Sequence, residues 1–324
     1  MKNTLIVTGG SGFIGFNFVK YFLPLNTYDY VVFIDKMGYA TKYNKDEYRK
    51  LVVSDKIFSI EEDINKLCIS HNTREMSDSI YDIVNFASES HVDNSIATPS
   101  KIYNENATIP SSLVDWVGIK NIRKFVHIST DEVYGDLDYS YRNDYSKWFK
   151  TESPMLPNNP YAASKAAQDC YLRSLNHTFG LNLVTVRMAN QFGPHQHSEK
   201  MLPATILRAV NKLPIKIYGS GNNIRQWTPV SQTVRHIYDI LTDATINNTT
   251  IHLGAAQSLV TNNEVVDIWR EILKDKYHIE SSIEYIEDRK GHDRMYAIQP
   301  TLTYDYSNIR EEFESTIDYY IKLK

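Results

Sequence analysis

The residues best suited to chemistry stand at the end of an apolar run. Phe125, Val126 and Ile128 read as a buried strand, and the run stops at Thr130, Asp131 and Glu132 inside VHISTDEVYG, residues 126–135. In an open α/β sheet, ligands sit outside the carboxyl ends of the strands, so these side chains stand where a reaction would be placed. Two adjacent carboxyls repel each other's charge, which favours one as proton donor and its neighbour as base. A second pair, Tyr161 and Lys165 of YAASK, is spaced i, i+4 and shares one helix face. An ammonium beside a phenol stabilises the phenolate and lowers the tyrosine pKa toward the range of a general base. Each pattern alone equally describes a solvated loop or a surface helical pair. Y-x-x-x-K recurs at Tyr320 and Lys324, and the chain holds 23 tyrosines, so context has to decide.

That context is a train of strands and helices. Residues 4–8 (TLIVT) are apolar and β-branched, and Gly9, Gly10, Gly12 and Gly15 follow at once. Phe13, Ile14, Phe16, Phe18, Val19 and Phe22 then repeat with helical period as far as Pro24. Strand, glycine turn and helix N-terminus form the setting in which backbone N–H groups meet a pyrophosphate. The spacing is G-x-x-G-x-x-G, which differs from G-x-G-x-x-G. The next strand, residues 31–34, ends at Asp35, 20 residues after Gly15. A carboxylate there accepts hydrogen bonds from a ribose 2′-hydroxyl and repels a 2′-phosphate, which favours NAD over NADP.

Further strands are expected at 57–60 (followed by Asp63 and Ile64), at 82–86 (followed by Ala87, Ser88, Glu89, Ser90 and His91), at 124–129 and at 183–187. Helices are expected at 104–117 and from Tyr161 to about residue 179. Repeated β–α units of this length imply a parallel, doubly wound sheet. The expected fold is α/β, with a Rossmann-type domain over 1–189 and a smaller C-terminal α/β substrate domain over 190–324. A helix over 231–245 lies in a segment, 227–257, expected to return to the first domain, and helices over 262–274 and 307–323 belong to the second.

Composition narrows the classes. At 324 residues, 42% hydrophobic and 23% charged, with a net charge of −4, the chain has the make-up of an ordinary soluble protein with a sizeable core. That balance gives no bulk preference for nucleic acid. No apolar stretch approaches the length of a membrane span, and the first residues run into a strand without a signal-peptide pattern. Cys68 and Cys170 form no C-x-x-C, which points to a reducing compartment, the cytoplasm.

Several motifs together resemble a family. TGGSGFIG, ESHVDNSI (89–96), STDEVYG (129–135), NPYAASKAA (159–167), GNNIRQW (221–227) and GHDRMYAI (291–298) fall in the order and spacing of the nucleotide-sugar 4,6-dehydratases. These belong to the extended short-chain dehydrogenase/reductase superfamily, and the resemblance, to the dTDP-glucose 4,6-dehydratase type, covers essentially the whole chain. Asp131-Glu132 combined with the late Gly291-His292-Asp293 discriminates best, since related sugar epimerases generally lack the acidic pair. The resemblance implies oxidation of the sugar at C4, loss of water across C5–C6 and return of the hydride to C6, with NAD regenerated within each turnover. It assigns Tyr161 to the C4 hydroxyl proton with Lys165 and Thr130 in support, Glu132 to the C5 proton and Asp131 to the departing C6 hydroxyl. It places Gly9, Gly12, Phe13, Ile14, Gly15, Asp35, Lys36, Asp63, Ile64, Ala87 and Ser88, with Tyr161 and Lys165, against NAD.

By the same resemblance Ser90, Thr130, Asn190, Lys200, Arg225, Asn262, Arg289, His292 and Tyr296 surround a nucleotide-diphosphate hexose. Arg225 and Arg289 suit the diphosphate, because a guanidinium offers a planar fork of donors to anionic oxygens. The stretch Gly193-Pro194-His195-Gln196-His197-Ser198-Glu199-Lys200 departs from the family's usual GPYQFPEK. Gln191, Gln226, Thr228-Pro229 and the segment 145–149 (YSKWF) depart as well, and these changes are expected beside the substrate pocket. The H-x-H of His195 and His197 lacks a nearby ligand set, and the implied reaction needs no metal. A glucose nucleotide (dTDP or UDP) is the family default, and UDP-N-acetylglucosamine, with either retention or inversion at C5, is an alternative. Inverting relatives often carry lysine where Glu132 stands. A C4 epimerase and a non-catalytic NAD-binding protein are the other classes. Family members commonly dimerise through two helices, which here correspond to 99–117 and 160–179.

Overall fold

The computed structural model describes residues 1–67 and 79–323, so Cys68 and Lys324 lie outside the described residues. The chain alternates β1 (Lys2–Thr8), α1 (Phe13–Phe22), β2 (Tyr30–Ile34), α2 (Lys45–Leu51), β3 (Ile57–Ile60) and β4 (Ser79–Asn85). Three helices follow: α3 (Val92–Ala97), α4 (Pro99–Ala107) and α5 (Ile109–Val117). Then come β5 (Ile122–Thr130), α6 (Pro160–Phe179) and β6 (Leu183–Met188). The expected 104–117 helix is two helices, because Pro110 has no N–H to give the Asn106 carbonyl and the chain breaks at Thr108.

Seven parallel strands form the main sheet in the order β10-β6-β5-β4-β1-β2-β3, the doubly wound Rossmann arrangement expected from the sequence. The apolar, β-branched strands are buried on both faces, as a sheet covered by helices requires. Phe16, Phe18 and Val19 of α1 close one face, and Leu113 and Val114 of α5 with Leu172 of α6 close the other. Strand order reverses between β1 and β4, which opens a crevice at their carboxyl ends.

After β6 the chain builds β7 (Asn190–Phe192), α7 (Met201–Val210), β8 (Ile215–Tyr218) and β9 (Ile224–Pro229). It then makes α8 (Val230–Thr242) and β10 (Thr249–Leu253), and β10 joins the edge of the main sheet beside β6. Val234, Ile237 and Ile240 of α8 share the core cluster that α1 covers. Finally β11 (Leu259–Thr261), α9 (Asn262–Tyr277), β12 (Ile283–Ile286) and α10 (Ile309–Lys322) complete the chain. Strands β11-β9-β7 and β12-β8 make two small sheets. A separate core joins Leu202 and Ile206 of α7, Val266 and Trp269 of α9, and Phe313 and Ile317 of α10. No helix among the described residues is long and apolar enough to cross a membrane.

Candidate active site

A cavity of about 480 Å³ opens at the switch point between β1 and β4. Gly9, Gly12, Asp35, Lys36, Asp63, Ile64, Ala87 and Ser88 line it, all predicted for the cofactor. Gly9 has φ +67, and a Cβ on it would stand 2.8 Å from the Ala87 nitrogen, so only glycine lets these two strand ends meet. Gly15 lies outside the cavity wall. Its place in the motif is explained by packing, since a Cβ there would come within 2.2 Å of the Gly9 carbonyl oxygen. Gly12 gives α1 no side-chain cap, which leaves first-turn N–H groups for a ligand anion. The Asp35 carboxylate accepts from the N–H groups of Ser11 (2.9 Å) and Met37 (2.8 Å), which leaves each oxygen further acceptor capacity on a residue that lines the cavity. This cradle fits a dinucleotide.

A second cavity of about 500 Å³ meets the first at Ser90. Thr130, Asp131, Glu132 and Tyr161 line it together with Phe13 and Ile14, so the last two stand on this side of the glycine turn. Beyond Thr130 the strand turns into a short 3-10 helix, Asp131–Tyr134, whose first residues hold both carboxyls. Asp131 is 2% exposed, and its Oδ2 has no hydrogen-bond partner among the described residues. Burial first, and the charge of Glu132 second, push its carboxyl up to about 8. At neutral pH it is therefore a protonated acid. Glu132 Oε2 accepts from Asn159 Nδ2 at 3.1 Å.

Tyr161 and Lys165 share the buried face of α6. The expected lowering of Tyr161 by Lys165 is not what the isolated chain has. Burial, then the charges of Glu132 and Asp131, raise the Tyr161 hydroxyl above its usual range. Lys165 is 2% exposed and lies behind the cavity wall, donating from Nζ to the Ile128 carbonyl (2.7 Å) and to Gln168 Oε1 (2.6 Å). Burial draws its ammonium down to about 8.

Ser90, Asn190, Lys200, Arg225, Asn262, Arg289 and His292 line the second cavity, as expected for the substrate, and Tyr296 does not. Tyr296 is buried beneath Arg225, whose guanidinium carbon stands 4.1 Å from its ring centre, and its hydroxyl donates to Asp293. Arg225 is itself buried and donates to the carbonyls of Ile224 (2.8 Å) and Asp293 (2.8 Å). Those acceptors are neutral, so its charge is left to the cavity. Arg289 adds a second cation, its Nη1 4.0 Å from Asp93 Oδ1 and its buried Nε without a hydrogen-bond partner among the described residues. Burial and Arg289 draw His292 down to about 4, and burial lowers Lys200.

The sequence departures do not all gather at this cavity. Gln191 lines it, but Gln226 pairs with the backbone of Ile298 at 3.1 Å through both ends of its amide, and Thr228 is buried against Gln191. His195 packs between Phe16 and Tyr319 with Asn44 Oδ1 3.1 Å from Nδ1, while His197 stands 3.3 Å from Glu199. Among the described residues no group of three or more His, Cys, Asp or Glu side chains is arranged to hold a metal. The segment 145–149 is a strap: Phe149 bridges to Ile298, and Trp148 Nε1 donates to the Tyr141 carbonyl at 3.0 Å.

Three residues were missed by sequence reading. Asn159 caps α6 by accepting the Ala162 N–H at 2.8 Å, and Asn before Pro160 was a readable signal for that role. Tyr39 and Glu89 carried none. The Tyr39 hydroxyl donates to Glu89 (2.7 Å) and lies 3.3 Å from Glu199, joining three distant segments near Ser90.

A glycine turn at the switch point, feeding a cavity with a neutral acid, a carboxylate and a Tyr–Lys face, is the layout of a dinucleotide-dependent enzyme. The profile of the NAD dependent epimerase/dehydratase family matches residues 5–254, and the chain belongs to that family. It is 35% identical to the low-salt glycan biosynthesis protein Agl12 of Haloferax volcanii, over 98% of both chains. It is 33% identical to the dTDP-glucose 4,6-dehydratase of Mycolicibacterium smegmatis, over 98% of this chain and 92% of that one. Among solved structures it is similar to DesIV, the dTDP-glucose 4,6-dehydratase of Streptomyces venezuelae, with NAD and TYD bound. The TM-score is 0.81 at 30% identity, covering 98% of this chain and 97% of that one. The resemblance drawn from the motifs agrees with these relatives.

Proposed function

We propose that the protein dehydrates a nucleotide-activated hexose of the dTDP- or UDP-glucose type to the 4-keto-6-deoxy sugar. The observation that carries this reading is the acid–base pair: Asp131, buried and neutral, beside Glu132 in one cavity with Tyr161. Proton transfer by a positioned acid and base is what an elimination needs, and a C4 epimerase has no use for such a pair. When bound, NAD takes the C4 hydride and later returns it to C6.

Tyr161, supported by Thr130 and the Lys165 charge, takes the C4 hydroxyl proton. Burial and the neighbouring carboxyl charges raise its pKa in the isolated chain, so a positive charge brought into the site, such as a bound oxidised nicotinamide would supply, would favour its deprotonation. The resulting ketone acidifies C5–H, and Glu132 removes that proton. Asp131 gives its proton to the C6 hydroxyl, which leaves as water, and Glu132 returns its own to C5 as the hydride arrives at C6. Arg225 and Arg289 hold the diphosphate. Asn190, Lys200, Asn262 and His292 complete the wall around the nucleotide sugar. The enzyme acts in the cytoplasm, as a homodimer through α4, α5 and α6.

NMR of the protein with dTDP-glucose, UDP-glucose and UDP-N-acetylglucosamine in heavy water tests the reading. A 4-keto-6-deoxy product carrying deuterium at C5 is expected, and its C5 configuration separates retention from inversion. A C4 epimer would overturn it.

A further inference from the structure

Behind Tyr161 and Lys165 the sheet buries a chain of polar groups that the reaction above does not use. Thr8 donates to Asn85 Oδ1 at 2.6 Å, and Asn85 Nδ2 stands 3.2 Å from His127 Nδ1. His127 Nε2 is 3.3 Å from Asp169 Oδ1, and Asp169 Oδ2 accepts from Arg187 Nε at 2.9 Å. Arg187 also donates to the Tyr134 hydroxyl at 2.5 Å and to the Thr151 carbonyl at 3.1 Å. His127 is 0% and Asp169 3% exposed, and neither lines a cavity. A carboxylate this deep is costly unless its charge answers others.

One of those others is Lys165. Its two acceptors, the Ile128 carbonyl and the Gln168 amide, are neutral, and an uncharged amine with two hydrogens would satisfy them as well as an ammonium does. Burial favours the amine. Asp169 lies four residues on, one turn along the same buried face of α6, about 6 Å away by helix geometry. Its charge is what pushes Lys165 back toward the ammonium. Burial alone would raise the Asp169 carboxyl, but the His127 imidazole 3.3 Å away and the charges of Arg187 and Lys165 outweigh it and hold it below its usual value. The other groups that face this pair are His127 on β5, which burial draws down to about 4, and Arg187 on β6. Tyr134, bound to Arg187, feels the Asp169 charge as well, and Tyr161, one turn before Lys165 on α6, faces Asp131, Glu132, Glu89 and Asp169.

We propose that Asp169 is a positioning residue that keeps Lys165 an ammonium from within the core, so that the charge supporting Tyr161 survives burial. The inference rests on the proposed role of Lys165 beside Tyr161. Full-length protein labelled with ¹³C at lysine Cε, with Lys165 assigned by Lys165→Met, reads the charge directly. Asp169→Asn is expected to move the Lys165 titration at least about one pH unit lower, and Asp169→Glu to restore it. The alkaline limb of kcat for nucleotide-sugar dehydration should move to lower pH in Asp169→Asn and return in Asp169→Glu. An unmoved Lys165 titration with activity lost evenly at every pH would overturn the proposal. A moved titration in a protein that dehydrates no nucleotide sugar would uphold the electrostatic link and refute the proposed reaction instead. Should Asp169→Asn not fold, the unaltered protein decides: a Lys165 signal of the neutral amine at neutral pH overturns the proposal, and that of the ammonium upholds it.

Discussion

Asn159 Nδ2 donates to Glu132 Oε2 at 3.1 Å while the oxygen of the same amide accepts the Ala162 N–H at 2.8 Å. One buried side chain thus caps the helix that carries Tyr161 and Lys165 and fixes the proposed base at its mouth. Asn159→Asp preserves the cap and sets a second carboxylate against Glu132. Its melting temperature should stay near that of the parent while kcat falls on the order of tenfold to a hundredfold. Asn159→Ala should lose the cap as well, at about 1 kcal/mol, with the melting temperature lower by about 2 °C. Thermal melts and turnover of the two variants separate the roles.

Glu132→Gln tests the order of steps. In the proposed reaction, oxidation at C4 relies on Tyr161 and should survive, whereas removal of the C5 proton should not. Mixing this variant with the nucleotide sugar should raise the near-ultraviolet absorbance of reduced nicotinamide and hold it there, with product formation down by about 10²–10⁴. A variant that still forms product at the parent rate would remove Glu132 from the role of base.

Asp131→Asn bears on stability and on rate. The Asp131 carboxyl has its folded pKa raised to about 8, above the ordinary value of about 4, so folding favours the protonated form. The folded state binds more protons between those values, and stability is lost as pH rises toward 8. An amide removes that cost. The stability of Asp131→Asn relative to the parent should therefore grow from pH 5 to pH 8 and level off above it, in chemical denaturation at each pH. Its dehydration rate should fall by about 10²–10⁴, because the C6 hydroxyl loses its proton donor.

Arg225→Lys keeps the charge and loses the fork. The guanidinium spans the carbonyls of Ile224 and Asp293 over the Tyr296 ring, which a lysine cannot reproduce. KM for the nucleotide sugar should rise roughly tenfold to a hundredfold with kcat less affected, from the loss of hydrogen bonds to charged groups. Steady-state kinetics checks this, and a kcat loss with unchanged KM would contradict it.

Much of the fold was legible because its signals are local. Gly9, Gly12 and Asp35 sit at fixed offsets along one strand–turn–helix–strand unit, and the cavity wall they form follows from that unit alone. The Thr130–Glu132 triplet and Tyr161 were legible for the same reason, each standing at an element's end. Tyr296 was not. Its place in the GHDRMYAI motif says that it belongs near the substrate, but the way it lies under Arg225 depends on Ile224 and Arg294 meeting across the chain. His195 and Gln226 stand next to cavity-lining residues but turn away from the cavity, because packing against Asn44, Tyr319 and Ile298 decides which way each side chain faces. The Tyr161–Lys165 spacing gave the shared face and missed the electrostatics, because burial of both groups outweighs their proximity.

Among the described residues the two cavities share Ser90 alone, and they are walled differently. Every residue around the first lies between positions 9 and 109, whereas the second is shared between residues 13–161 and 188–292. A ligand in the first cavity would touch residues 9–109 alone, whereas one in the second would touch both segments. Under the proposed reaction, which returns the hydride within each turnover, the dinucleotide would count as part of the catalyst's inventory rather than as a reactant.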